Sequence, residues 1–219
     1  MKLHLAITLL LLSAACDKDG GEARCPEPGA STTSVAAAST ASVDGELVRL
    51  AGGGQAIKFK LRVDDNGTAM KQSLYHSDAT GFPEPVLALA RERFAGAKIE
   101  RYESELYADL GRIYEVELTA TDGRRCEVAA TAEGKEHYTE CRLTPEAMPA
   151  PIRDAIAKLY PEGKVIEVET KTGPTVDEVT VEVQVAGGGE HYVRLAPDGK
   201  LIARYARVPA VLEVPLPMP

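Results

Sequence analysis

Apolar and polar positions alternate with a period of two over much of the second half of the chain. Tyr114, Val116, Leu118 and Ala120 alternate with Glu115, Glu117 and Thr119, and Cys126, Val128 and Ala130 resume the pattern after Thr121-Asp122-Gly123. Such a period predicts strands with one buried and one wet face. Upstream, Val86, Leu87, Ala90 and Phe94 recur at helical spacing opposite Arg91 and Glu92. Pro83 and Pro85 precede them, where a helix start does not need the missing N–H. Lys98 to Tyr107 reads as a strand of mixed polarity near a sheet edge. Glu133-Gly134 turns the chain into a last strand, Lys135 to Leu143.

The same order of events recurs from Pro149. Ile152, Ala155, Ile156, Leu159 and Tyr160 form a helical stripe, and Val179, Val181, Val183 and Val185 replace Tyr114 to Ala120. His191, Val193 and Leu195 follow, then the turn Pro197-Asp198-Gly199 and a strand from Lys200 to Val208. Self-similarity of this kind signals repeated supersecondary units. The expected fold class is α+β: tandem helix-plus-four-stranded antiparallel sheet repeats, one over 83–143 and one over 149–208, each helix covering its own strands. Side by side, such units could share a sheet. Residues 45–80 read as a partial, helixless repeat, with Ile57, Phe59, Leu61 and Val63 alternating before an Asn66-Gly67 hairpin in which both central residues take φ > 0. Residues 209–219 form a Pro-rich tail expected to pack loosely.

Residues 1–15 read as a targeting segment: Lys2, an apolar run from Leu5 to Leu12, and small residues Ser13-Ala14-Ala15 before Cys16. The run is too short to span a bilayer, which takes roughly 20 residues. It resembles a bacterial lipoprotein signal in which Cys16 takes the lipid, with Ser13 where Leu is commonest. An ordinary secretory signal cut before Cys16 is the rival reading. Residues 16–44 have the Gly, Ser, Thr and Ala composition of a flexible tether, a helix over Ser34 to Ala41 being the alternative. The expected location is outside the cytoplasm, membrane-anchored and facing the periplasm, or secreted.

The runs Phe94 to Ile99, Tyr114 to Leu118, Asp122-Gly123 and Gly134-Lys135, with Tyr160 to Val165, Val179 to Val183 and Asp198-Gly199-Lys200 in the second copy, resemble the PepSY-like family, also called beta-lactamase-inhibitor-like domains. The second copy departs from the pattern at Val179 and at Gly187-Gly188-Gly189. The resemblance covers about residues 83–208 and consists of core and turn positions. It implies an exported bacterial module that binds or inhibits another protein, and it supplies no catalytic residues.

Composition narrows the chemistry. The chain carries a net charge of −8 with no Lys/Arg cluster, which argues against a nucleic-acid partner. With no Trp and 3 Phe, the core must be built from aliphatic residues and Tyr. No nucleophile elbow, P-loop or dinucleotide fingerprint occurs, and His76, His137 and His191 lack metal-ligand spacing. Neither a catalytic site nor a metal or cofactor is therefore expected. Glu115, Glu117, Glu178 and Glu182 are read as solvating the outer strand face. Cys126 and Cys141 flank the Glu133-Gly134 turn. A two-residue turn sets them opposite each other as a cross-strand disulfide, whereas a three-residue turn with a bulge puts them on opposite faces. If Cys16 is lipidated, one of Cys25, Cys126 and Cys141 is left over; otherwise four thiols can make two bridges. The remaining candidate is a protein-binding surface on the non-helix face, comprising Tyr192, Arg194 and Arg204 with Tyr138 and Tyr102 as neighbours, since Tyr and Arg favour interface hot spots. The expected function is an exported envelope protein, not an enzyme, that binds or inhibits a protein partner and touches membrane only through its lipid. The alternative is a structural or ligand-sensing envelope module.

Overall fold

Ten strands pair edge to edge in chain order, every neighbour antiparallel. The structure is a computed structural model that describes residues 43–52 and 58–215. The targeting segment, Cys16, Cys25, most of the tether, Ile57 and residues 216–219 of the tail lie outside the described residues. The strands are β1 (Phe59–Val63), β2 (Ala69–His76), β3 (Lys98–Tyr107), β4 (Gly111–Thr119), β5 (Arg125–Ala130), β6 (Glu136–Leu143), β7 (Lys164–Thr172), β8 (Asp177–Gln184), β9 (Glu190–Leu195) and β10 (Leu201–Arg207). Among the described residues three short α-helices accompany them: α1 (Gly45–Gly52), α2 (Glu84–Arg93) and α3 (Ala150–Leu159).

This architecture overturns the expected tandem of helix-plus-four-strand repeats. β6 pairs with β7 from Thr139↔Thr172 to Leu143↔Val168, and β2 pairs with β3 from Lys71↔Tyr107 to His76↔Tyr102, so the strands form one sheet. Separate small sheets would each leave two rows of unpaired backbone groups at their edges, and joining them leaves only β1 and β10 unpaired on one side. β3, read as near an edge, is paired on both sides; its mixed polarity reflects two different faces instead. Nor is the first block helixless. Asp44 opens α1 by accepting the Glu46 N–H at 3.0 Å, and Leu47 is buried.

One face of the sheet is aliphatic and helix-packed. Val86, Leu87 and Ala90 of α2 rest on Val116, Leu118, Cys126, Val128 and Ala130. Ile152 and Ile156 of α3 rest on Val168, Val179, Val181, Val183, Val193 and Leu195. Both helices have a proline at the N-cap, Pro83 and Pro149, and end where the Phe94 and Tyr160 N–H groups bond back to Ala90 and Ile156. Two turn glycines press against the helix starts. A Cβ on Gly134 would lie 2.9 Å from Pro85 Cβ, and one on Gly199 2.5 Å from the Pro151 carbonyl oxygen, and both glycines take positive φ. Only glycine combines that backbone with that approach.

The hairpin turns share one form. In β1–β2, Gly67 has φ +80° and donates to Asp64 O, while Asn66 does not take positive φ. The expected two-residue turn is therefore a longer one closed by a left-handed glycine. The β5–β6 turn repeats the form, Gly134 donating to Thr131 O, and so does β9–β10, Gly199 donating to Ala196 O. Beyond these last two turns, bulges at His137 and Ile202 shift the register by one residue. Further bulges lie at Glu100 between β3 and β4 and at Ile166 between β7 and β8. Bulges bend a strand and increase its twist. The outcome is a curled sheet. The Arg62 guanidinium on β1 lies over the rings of Tyr192 on β9 and Tyr205 on β10, at 5.1 and 4.5 Å. All three residues sit on the face away from the helices, so that face is the inside of the curl.

Candidate functional site

Strand parity determines which side chains face inward. One row, Arg101-Glu117-Glu127-Glu140-Lys171-Glu178, crosses from β3 to β8 through successive register partners. A second runs Tyr75-Glu103-Glu115-Ala129-Tyr138. The curl converts this wet face into a concave one and removes most of it from solvent: Glu105 is 1% exposed, Tyr138 2% and Glu103 4%. Glu115, Glu117 and Glu178 are likewise buried rather than solvating an outer surface as expected.

Buried charges require partners, and the concave face supplies most of them internally. Glu105 takes the Lys71 ammonium, the Ser73 hydroxyl at 3.2 Å, the Tyr107 hydroxyl at 2.7 Å and the Tyr138 hydroxyl at 3.2 Å. Tyr138 also meets Glu115 through its hydroxyl. Glu140 pairs with Lys171 at 2.6 Å and accepts from the Thr180 hydroxyl at 2.9 Å, while the Lys171 ammonium lies 3.8 Å from the Tyr138 ring centre. Arg194 grips both oxygens of Glu178, through Nε at 3.1 Å to each and Nη2 at 2.7 Å. Arg101 and Arg125 share Glu117, and Arg207 meets Glu182 at 2.5 Å. Glu103 Oε1 is buried without a hydrogen-bond partner.

Crowded carboxylates shift one another. Burial pushes the Glu115 carboxyl up, and Glu127, Glu103 and Glu105 push the same way. Glu127 and Glu169 are raised to about 8, by burial first and then by Glu140. Glu105 goes the other way. Burial opposes its charge, but Lys71 and Lys171 outweigh burial and hold the carboxyl at about 2. Lys171 stays charged for the reciprocal reason: burial opposes its charge, and Glu140, Tyr192 and Glu105 override it. Burial, then Glu105 and Glu115, keeps the Tyr138 phenol protonated as a donor. Burial also lowers His137, so its ring is neutral at pH 7.

At one end the concave face opens into a cavity of about 430 Å³. Four cations line it, Arg62, Lys71, Lys171 and Arg194, together with Tyr107, Tyr138, Tyr192 and Tyr205. His137, placed there by its bulge, lies with its ring 5.9 Å from Tyr107 and 5.2 Å from Tyr138. Ligand pockets commonly fall in the range of ~300–1,000 Å³.

The residues proposed from sequence separate on this geometry. Tyr192, Arg194 and Tyr138 share the concave face and line the cavity. Arg204 does not join them. Unbroken alternation past the turn would set Val193 opposite Ala203, but the Ile202 bulge sets Val193 opposite Arg204, which turns Arg204 to the helix-packed face and Tyr205 inward. Tyr102 also lies on the helix-packed face, paired with Val116 and 5.2 Å from the Phe82 ring. Cys126 and Cys141 are register partners joined in a disulfide, with Cα atoms 4.1 Å apart. The turn between them is the three-residue form, yet the His137 bulge restores the register that brings them together. The three histidines among the described residues sit apart: His76 Nε2 lies 2.9 Å from Ser104 Oγ, His191 Nδ1 lies 3.0 Å from the Tyr160 hydroxyl, and His137 faces the cavity. Among the described residues no cluster of His, Cys, Asp and Glu could hold a metal ion. Sequence reasoning missed Arg62, Lys71, Tyr107, Lys171 and Tyr205. The available signal was tyrosine at polar-parity positions in five strands, at 75, 107, 138, 192 and 205.

No protein-family profile matches the chain. A comparison with curated proteins likewise found no match. Among solved structures, the chain is similar to a BLIP-like protein of Bacteroides fragilis, at 19% identity over 62% of this chain and 95% of that one, with a TM-score of 0.47. It is similar to a DUF2874 family protein of Bacteroides uniformis at 19% identity, over 57% and 88% of the two chains, with a TM-score of 0.46. A third, described as a periplasmic protein of Bacteroides eggerthii, shares 17% identity over 57% and 88%, with a TM-score of 0.44. Scores below 0.5 carry neither function nor partner across to this chain, and the PepSY-like resemblance remains one of core and turn positions.

Proposed function

We propose that the protein is an exported envelope protein, held to a membrane by a lipid on Cys16, that binds a partner protein through the concave face of its sheet and has no catalytic activity of its own. The observation that carries this reading is the inward-facing network itself. Glu105 holds Tyr107 and Tyr138 and Glu178 holds Arg194, while Arg62 lies against the Tyr192 and Tyr205 rings, so the face presents a shaped, preorganised surface of the kind that limits the entropy lost on binding. Tyr192, Arg194 and Tyr205 stand at the accessible end of that surface. Inhibition of the partner is one consequence such binding can have.

The test is capture of envelope proteins on the immobilised chain. A Tyr192→Ala/Arg194→Ala variant, checked for folding by its thermal melt, is expected to lose a partner that wild type and Arg204→Ala both retain, because Arg204 lies on the other face. Equal recovery by all three would overturn the concave face as the binding surface. Intact mass of the protein recovered from membranes reports the lipid on Cys16. A second reading, a ligand-sensing module, is favoured by the cavity, whose volume suits a small molecule.

A further inference from the structure

Of the four cations that line the cavity, three have a carboxylate partner and one does not. Lys71 is matched by Glu105, Lys171 by Glu140 and Arg194 by Glu178. Arg62 has no carboxylate partner among the described residues; its guanidinium is held instead against the Tyr192 and Tyr205 rings. The other acidic group lining the cavity, Asp109, is exposed in the β3–β4 turn, where water screens it. One cation of the lining is therefore left without a carboxylate, in a protein whose net charge is −8. Donors are in surplus as well. Arg194 spends Nε and Nη2 on Glu178 and keeps Nη1. A lysine ammonium has three N–H donors, and a guanidinium five in a planar fork.

Resting on the binding function proposed above, we propose that this cavity is a carboxylate pocket, taking one organic carboxylate in the fork of Arg62 with its stem packed among Tyr107, Tyr192 and Tyr205. Arginine matches a carboxylate through two parallel N–H···O bonds, and the two tyrosine rings behind Arg62 limit the orientations of its plane. One unmatched cation suits a single negative charge better than a phosphate, which would bring up to two. The flanking Met70, Leu110 and Val176 suit an aliphatic stem. A glutamate side chain of a polypeptide partner and a small free acid both offer this chemistry.

NMR titration of the isotope-labelled full chain tests the proposal. The probes are butyrate, the capped peptide Ac-Ala-Glu-Ala-NH2, their neutral counterparts butyramide and Ac-Ala-Gln-Ala-NH2, and inorganic phosphate. Saturable shifts confined to signals of the cavity residues are expected with the carboxylates and not with the amides. Arg62→Gln should weaken carboxylate binding at least fivefold while the protein stays folded, its melting temperature falling by no more than about 4 °C for the lost ring contacts, and Arg62→Lys should retain part of the binding. Tighter binding of the glutamyl peptide than of butyrate assigns the pocket to a polypeptide side chain, and the reverse assigns it to a free acid. Absent shifts, equal shifts with the amides, tighter binding of phosphate, or an unaffected Arg62→Gln variant would overturn the proposal. Loss of partner capture in Tyr192→Ala/Arg194→Ala without carboxylate binding removes the pocket but leaves the protein-binding reading. Carboxylate binding without partner capture does the opposite.

Discussion

Arg62, on the first strand of the sheet, lies with its guanidinium 4.5 Å from the ring centre of Tyr205, on the last. In a flat antiparallel sheet of ten strands the two would be about 40 Å apart, at a strand spacing of ~4.8 Å. Their contact measures how far the sheet curls.

That contact has a measurable energy. Cation–π pairs at partly exposed sites contribute ~0.5–1 kcal/mol. A double-mutant cycle with Arg62→Ala and Tyr205→Ala, read by denaturant unfolding, is expected to give a coupling of that size. Additive effects would mean that the ends of the sheet do not meet in solution.

The acidic interior makes stability depend on pH in two opposed ways. Glu127 and Glu169 hold their protons to about pH 8 when folded, against an ordinary value of 4.5. Between those values the native state binds more protons than the unfolded chain, so stability falls as pH rises through the window. Glu105, held at about 2, acts oppositely: its contribution is present above 4.5 and lost as pH falls toward 2. Unfolding midpoints measured from pH 3 to 9 should peak near pH 4–5 and decline toward 8. Glu127→Gln and Glu169→Gln should each flatten the decline, and a midpoint rising from pH 5 to 8 would contradict the assignment.

Lys171 and Glu140 test whether the network is interdependent. Removing one member of a buried ion pair typically costs ~3–5 kcal/mol, because the other charge is left uncompensated. Lys171→Met is expected to destabilise by about that much, and adding Glu140→Gln should restore much of the loss. Equal destabilisation by single and double variants would show that Lys171 acts through packing on Tyr138 alone.

The disulfide closes a loop with a sequence separation of 15. A closed loop of that size restricts the unfolded chain by ~3 kcal/mol. Reduction, or Cys126→Ser/Cys141→Ser, should therefore lower the melting temperature by roughly 6–12 °C at ~2–4 °C per kcal/mol. A change under 2 °C would place most of the effect elsewhere. The native bond can be checked directly by mass spectrometry of a non-reduced digest.

The elements themselves were legible. Lys98 to Tyr107, read as a strand of mixed polarity, has the bounds of β3. The Pro-led stripes marked both longer helices, and Val116 and Val181 point into the core as their parity required. Asp44 before Leu47 was an available start signal for α1 that a search for longer apolar stripes passed over. Arg204 and Tyr102 were misplaced for separate reasons: a bulge reversed parity in β10, while Tyr102 packs with Phe82 on the apolar side of a strand whose polarity is mixed.

Sequence alone thus determined the strands and the two longer helices, where the chain turns between them, and, away from the bulges, most of the side chains that share a face. These are properties of a repeat two or 3.6 residues long, read within a few positions of each other. Tertiary structure alone decided that the strands join in one sheet, that bulges and twist curl it, and that Glu105, Lys171 and Arg62 meet inside it. Curvature accumulates over ten strands, from Phe59 to Arg207, and no local period records it. A glutamate bound for solvent and a glutamate bound for a buried ion pair therefore occupy the same place in the alternation.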